Sequence, residues 1–407
     1  MRKTKASIET AAETCGDSSL REAASQPAAN SLPVVAPPPG RLIGAHMPTS
    51  GGIAKSLLAG KEIGCTAVQV FTCSPRQWSH APLKDEDIAS WRRAQEETEM
   101  AFTVAHDSYL INLATPSDEI LQKSRHAFRD ELDRIEALGI PWLVTHMGAR
   151  MESSEEEAIA RLVESLKVLL EATDALGYKS GVALETTAGQ GTCLGATFEE
   201  LAAVLSGVGP HPRLGVCLDT CHVFVAGYDL RDEASYAELW RKFDTVIGRE
   251  KLKLLHANDA KKPLASKVDR HEHIGSGELG MKPFRMLAQD PALAAVPLIV
   301  ETPDSDTMHA VNVHRLTEMA HGRSATARIS VQFFGHYSDL FENSRVDLEL
   351  PVGARIADIE TTRECREAGV KELNSYCRFA VNDEYASTDT LLRDNDSVAV
   401  LPPVSGG

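Results

Sequence analysis

The sequence predicts an α/β chain: a (β/α)8 TIM barrel followed by a small α+β domain. Three observations carry this. Eight short apolar runs recur about 36 residues apart from Leu42 to Glu301, the length of a βα unit. The segments between them place apolar residues three and four apart, which is the helical period. Six consecutive runs, the third to the eighth, stop on an imidazole or a carboxylate. In a barrel such strand ends line the active-site mouth.

Residues 1–40 read as a disordered leader. Ala, Ser, Thr and Pro dominate, basic and acidic residues balance, and the segment closes on Pro37-Pro38-Pro39-Gly40. It has too little apolar periodicity to bury a core. The barrel spans 41–323. Its runs end at His46, Phe71, His106, His146, Glu185, Asp219, His256 and Glu301. Amphipathic stretches such as Ser117–Leu138 and Ser153–Leu176 separate them. Apolar strands alternating with helices imply a parallel sheet covered by helices, and eight units favour closure. The rhythm changes near Arg323, and residues 324–407 form the second domain. Strands are predicted at 329–334, 346–350, 378–381 and 397–401, with a helix around Ile356–Ala368.

Of the 407 residues, 43% are hydrophobic and 25% charged, an ordinary globular composition. No stretch approaches the roughly 18 uninterrupted apolar residues of a membrane helix, and no apolar run follows the basic start at Arg2. No membrane association is expected. The eight cysteines are scattered without a CxxC pair, as expected of a reduced, cytoplasmic chain. Cys217 and Cys221 read as packing residues, because thiol reactivity would need a lowered pKa that nothing in the sequence demonstrates. The net charge of −16 argues on its face against nucleic-acid binding. The second domain holds 8 basic and 14 acidic residues, so the barrel itself carries −10. Bound cations would bring the barrel near neutrality.

The strand ends collect His106, His146, Glu185, Asp219, His256 and Glu301. Two loops add His222, three residues after Asp219, and the pair Asp269 and His271. Six such groups converging on one mouth would cost heavily in desolvation unless something positive sat among them. Five imidazoles and four carboxylates suit borderline divalent ions, zinc first, with Mn2+ or Fe2+ as substitutes. Nine ligands exceed the need of one tetrahedral ion, so two or three ions are expected, with Glu185 as the bridge.

At this point the chain resembles endonuclease IV. The resemblance rests on His106-Asp107-Ser108-Tyr109-Leu110, Glu185-Thr186-Thr187-Ala188-Gly189, Gly215 to His222, His256-Ala257-Asn258-Asp259 and Asp269-Arg270-His271, in the family's order. It runs from about Arg41 to Glu318. It implies an apurinic/apyrimidinic (AP) endonuclease of base-excision repair, acting on abasic-site duplex DNA. It also implies a trinuclear Zn2+ site, with a metal-bound hydroxide as the nucleophile. One ion would take His106, His146 and Glu185, and a second Glu185, Asp219, His256 and Glu301. The third would take His222, Asp269 and His271. The products would be a 3′-hydroxyl and a 5′-deoxyribose phosphate. Arg76 and Gln77 after the second run, and Tyr109 and Leu110 after His106, would wedge into the duplex and flip the abasic nucleotide out. Lys261 and Arg270 are candidate phosphate contacts. The chain departs from the pattern at Cys73-Ser74-Pro75 and at Ser276, neither of them ligand positions.

Residues from Val331 onward resemble the small subunit of molybdopterin synthase, a ubiquitin-like sulfur carrier of β-grasp fold. The matching segments include Phe379-Ala380-Val381-Asn382-Asp383 and Leu401-Pro402-Pro403-Val404-Ser405-Gly406-Gly407. Glycines fit a narrow catalytic channel that admits no side chains. The resemblance implies a thiocarboxylate at Gly407, an E1-like activating enzyme, and the molybdopterin synthase large subunit as partners. The chain is expected to be a monomer. The alternative is a metal-dependent sugar isomerase or epimerase of the same barrel architecture. Such enzymes need fewer ligands and no duplex-wedging loop.

Overall fold

The computed structural model describes residues 32–403. Most of the expected leader, and the terminal Gly406 and Gly407, lie outside the described residues. Residues 32–40, expected as part of a structureless leader, instead lie on the barrel without helix or strand. Pro37 is buried, and His321 Nε2 donates to the Ala36 carbonyl at 2.9 Å.

Eight parallel strands close into a barrel: β1 (Ile43–His46), β2 (Ala67–Phe71), β3 (Phe102–His106), β4 (Trp142–His146), β5 (Gly181–Glu185), β6 (Leu214–Asp219), β7 (Leu252–His256) and β8 (Leu298–Val300). Each pairs with its sequence neighbours, and β8 pairs with β1 to complete the ring. Their apolar content follows from burial on both faces. The barrel interior is plugged by Ala67, Val104, Val144, Ala183, Cys217, Leu254 and Ile299, one from each of β2 to β8. β1 puts Gly44 where a Cβ would collide with the Ala67 carbonyl, so only glycine allows that approach. Outside, helices such as Asp118–Leu138 and Glu155–Asp174 pack their apolar stripes on the sheet. Ser117 and Ser154 cap their first turns by accepting backbone N–H bonds. Because all eight strands run the same way, every strand that ends on a polar residue delivers it to one mouth.

The second unit is a five-stranded mixed sheet with a β-grasp arrangement. Its strands are β9 (Thr326–Phe333), β10 (Arg345–Pro351), β11 (Arg378–Val381), β12 (Glu384–Ala386) and β13 (Ser397–Leu401). The order is β10-β9-β13-β11-β12, with β9 and β13 parallel at the centre. Ile329, Val331, Phe333, Phe379, Val398 and Val400 build its core. The expected single helix over 356–368 is a 3-10 turn (Ile356–Thr361) and a short α-helix (Arg363–Glu367). The break falls at Thr362, whose extended backbone and hydroxyl cap the second piece by accepting from Cys365 N. Among the described residues no helix is long and apolar enough to cross a membrane.

Candidate metal centre at the barrel mouth

The nine ligand-type residues come together at the C-terminal ends of the strands. Glu185, at the end of β5, is fully buried. Its Oε2 lies 3.2 Å from both His106 Nε2 and His146 Nε2. Its Oε1 lies 3.0 Å from His256 Nδ1 and 3.3 Å from His222 Nδ1. One carboxylate therefore touches imidazoles from four different elements. His256 Nδ1 also lies 3.1 Å from Glu301 Oε2. Asp269 reaches His222 Nε2 at 3.2 Å and His271 Nε2 at 3.5 Å. Two groupings coincide with the expected sets: His106, His146 and Glu185, and then Glu185, Asp219, His256 and Glu301. Around His222 and His271, both Asp219 and Asp269 lie within reach.

The ring tautomers test whether this set fits a cation. His106 Nδ1 faces the Asp107 carbonyl at 2.9 Å, His222 Nδ1 the Thr186 carbonyl at 2.8 Å, and His271 Nδ1 the Glu301 carbonyl at 3.2 Å. A carbonyl only accepts, so each of these nitrogens carries the hydrogen. In the neutral ring the opposite nitrogen then presents a lone pair to a carboxylate, and the Nε2 atoms of His222 and His271 face each other at 3.5 Å. Lone pairs crowded on carboxylates repel unless a positive charge sits between them. Ligand imidazoles anchored through their other nitrogen are the usual arrangement of a metal site.

Burial and the opposed charges of the cluster pull its titrating groups in opposite directions. Burial alone would lower His106, yet its bond to Glu185 raises it to about 9. Burial likewise opposes the charged forms of His222 and His256, yet both lie well above the usual histidine range, His222 through Asp219, Asp269 and Glu185, and His256 through its neighbour Cys217 and then Glu301 and Glu185. Glu185, which burial would raise, is held well below the carboxylate range by His256 and His146. Burial would also raise Asp269, but His222 draws it down to about 2. Cys217 beside this cluster is buried and its thiol is pushed up to about 12, so it stays protonated.

Two residues of the His256-Ala257-Asn258-Asp259 motif, given no role by the sequence, support the site. Asn258 Nδ2 donates to Asp219 Oδ2 at 2.6 Å while its Oδ1 accepts from Glu301 N at 2.7 Å. The side chain thus spaces two ligands. Asp259 is buried and accepts backbone N–H bonds from Ala260, Gly275, Gly277 and Leu279. Burial pushes its carboxyl up to about 7. A Cβ at Gly277 would lie 2.5 Å from the Asp259 carboxylate and from the Ala260 carbonyl, which accounts for the glycine. This clamp fixes the loop after the ribbon formed by Asp259–Ala260 and His271–Glu272.

The expected DNA-contact residues ring the mouth. Arg76 and Gln77 are exposed in the loop after β2. Ser108 Oγ donates to the Pro75 carbonyl at 2.9 Å and ties that loop to the next. Tyr109 is 63% exposed and stands edge-on to Phe71 at 5.4 Å. Leu110 beside it is half-buried. Lys261 N donates to the Arg270 carbonyl across the ribbon. Arg270 is exposed on the cavity that Tyr109 also lines. Lys261 Nζ pairs with Glu272 at 3.3 Å, so its charge is partly spent within the protein.

Comparison with known proteins places the barrel and the second unit in known families. Residues 57–328 match the family model described as a xylose isomerase-like TIM barrel, and residues 331–407 match the ThiS family. The chain is 46% identical over 265 residues to the probable endonuclease 4 of Chloroflexus aurantiacus, which covers 65% of this chain and 92% of that one. The crystal structure of endonuclease IV from Thermus thermophilus matches with a TM-score of 0.62 and 30% identity, over 69% of this chain and 99% of that one. A D-tagatose 3-epimerase-like protein matches at a TM-score of 0.54 and 18% identity over 69% of this chain and 98% of that one, a likeness of fold alone. The chain therefore belongs to the endonuclease IV family of xylose isomerase-like TIM barrels and carries a ThiS-family β-grasp domain behind the barrel.

Proposed function

We propose that the chain is a zinc-dependent AP endonuclease that hydrolyses the phosphodiester bond 5′ of abasic sites in duplex DNA. The observation that carries the reading is the set of three imidazoles, His106, His222 and His271, anchored to backbone carbonyls on one side and aimed at carboxylates on the other. His106, His146 and Glu185 would hold one ion, and Glu185, Asp219, His256 and Glu301 a second. His222, Asp269 and His271 would hold the third. When bound, such ions acidify a water at neutral pH and neutralise charge on the phosphodiester. The chain's own residues do the rest. Exposed Tyr109, beside half-buried Leu110, would enter the stack where a base is missing. Arg76, Gln77, Lys261 and Arg270 flank the mouth where the backbone would run. The sugar isomerase reading accounts for neither the nine donors nor an exposed aromatic at the rim. Cleavage of a duplex with one abasic site tests the proposal. A nick 5′ of the site, leaving a 3′-hydroxyl and a 5′-deoxyribose phosphate, is expected; a cut 3′ of the site, or none, would exclude it.

The β-grasp unit is proposed to act as a sulfur carrier through Gly407, served by an E1-like activating enzyme and the molybdopterin synthase large subunit. The ThiS-family match and the central parallel pair β9–β13 support this. After incubation with an activating enzyme, ATP and a sulfur donor, intact-mass analysis should show one oxygen replaced by sulfur. No shift with a competent activator would leave the unit without a carrier role.

A further inference from the structure

We infer that Gln69 is a positioning residue that fixes the ring orientation of His256 and the carboxylate of Glu301. The inference rests on the metal-centre reading above. Gln69 is fully buried in the middle of β2, within the run Ala67-Val68-Gln69-Val70. Burying an amide in an apolar layer is costly unless its hydrogen bonds are made. Those of the Gln69 side chain go to the cluster. Its Oε1 lies 2.8 Å from His256 Nε2. Its Nε2 bonds Glu301 Oε1 and lies 2.9 Å from His46 Nδ1.

The Glu301 carboxylate fixes which way the amide points. An ionised carboxylate only accepts, so the amide NH2 faces Glu301; His46 Nδ1 lies 2.9 Å from the same nitrogen and 3.3 Å from Glu301 Oε1. The amide oxygen must then face His256, whose Nε2 carries the hydrogen. His256 is left with its Nδ1 lone pair toward Glu185 Oε1 at 3.0 Å and Glu301 Oε2 at 3.1 Å. This tautomer is opposite to that of His106, His222 and His271, which turn Nε2 inward. Those three are set by backbone carbonyls, whereas His256 depends on a side chain. The same amide holds one Glu301 oxygen and leaves the other free toward His256. Removing it releases two members of the group Glu185, Asp219, His256 and Glu301 at once.

The test uses the full chain with Gln69→Met and Gln69→Leu, which keep the volume and remove the hydrogen bonds. Met is the more adaptable filler if Leu does not fold. Metal-free protein is titrated with zinc alone against a chromophoric chelator. One bound ion should weaken about 10–100-fold, as is typical when an outer partner of a ligand is lost, while the others bind as in wild type. In histidine labelled with 15N, the zinc-loaded wild type should show an Nε2–H for His256 that the variants lose or shift. A merely structural residue would lower the melting temperature of the metal-free chain and leave the zinc curve unchanged. Unchanged zinc binding in a variant, with wild type that loads zinc and nicks abasic DNA, would overturn the role of Gln69 alone. Wild type that neither binds zinc nor nicks would overturn the metal centre as well.

Discussion

Glu185→Gln is expected to fold as a barrel and to lose abasic-site cleavage by about 10²–10³-fold or more, the scale of removing one preorganised electrostatic group. The substitution keeps the volume of a fully buried side chain, so the surrounding packing survives. It exchanges a carboxylate oxygen that meets imidazoles within 3.3 Å for an NH2. A neutral amide can bridge no pair of ions, and its hydrogens would point at lone pairs. Steady-state cleavage with metal quantitation checks the result. Activity within a few-fold of wild type, at wild-type metal content, would contradict a shared bridge at this position.

The largest expected effect on stability belongs to Arg315. Its guanidinium is almost wholly buried between the barrel and the β-grasp unit. Nε donates to the Val352 carbonyl just beyond β10, and Nη1 to the Ile274 carbonyl in the loop clamped by Asp259, each at 2.7 Å. Burial pushes the guanidinium down to about 10, with Asp358 and Asp259 opposing the shift. Arg315→Leu would leave two carbonyls without their charged donor. A destabilisation of about 3 kcal/mol is expected, since hydrogen bonds to charged groups contribute about 1.5–3 kcal/mol each. Ile274 directly precedes Gly275, whose N–H donates to Asp259, so the seam and the ribbon carrying His271 should loosen together. Denaturant melts of the full chain check this; a midpoint equal to wild type would show that the seam contributes no stability.

Much of the barrel and its mouth was legible because one physical rule links them. Parallel strands buried on both faces read as apolar runs, and a run that stops on His, Glu or Asp marks its own C-terminal end. Glu301 illustrates the limit: β8 is three residues long, and the carboxylate falls just past it. Gln69 was silent because a lone polar residue inside an apolar strand reads as a flaw in the pattern rather than as a support. Asn258 and Asp259 act through loops that fold back on the mouth, a long-range arrangement that spacing does not encode. Arg315 lies on a helix (Ser305–Ala320) buried against both units, so its surface offered no amphipathic contrast. In the β-grasp unit, β12 escaped notice because it is a three-residue edge strand. Its hairpin turn, Asn382-Asp383, takes positive φ at both residues, as a two-residue turn of this kind requires.

The central claim is that cleavage depends on several ions held at the barrel mouth. It is tested most directly by measuring nicking of an abasic-site duplex while metal-free chain is titrated with zinc. Prolonged chelation is needed first, because the buried Glu185 and His256 lie at the heart of the site. No cleavage is expected at zero zinc, and full cleavage only after more than one equivalent per chain has bound. Full activity in the chelated, zinc-free chain, or saturation of activity at a single equivalent, would contradict it.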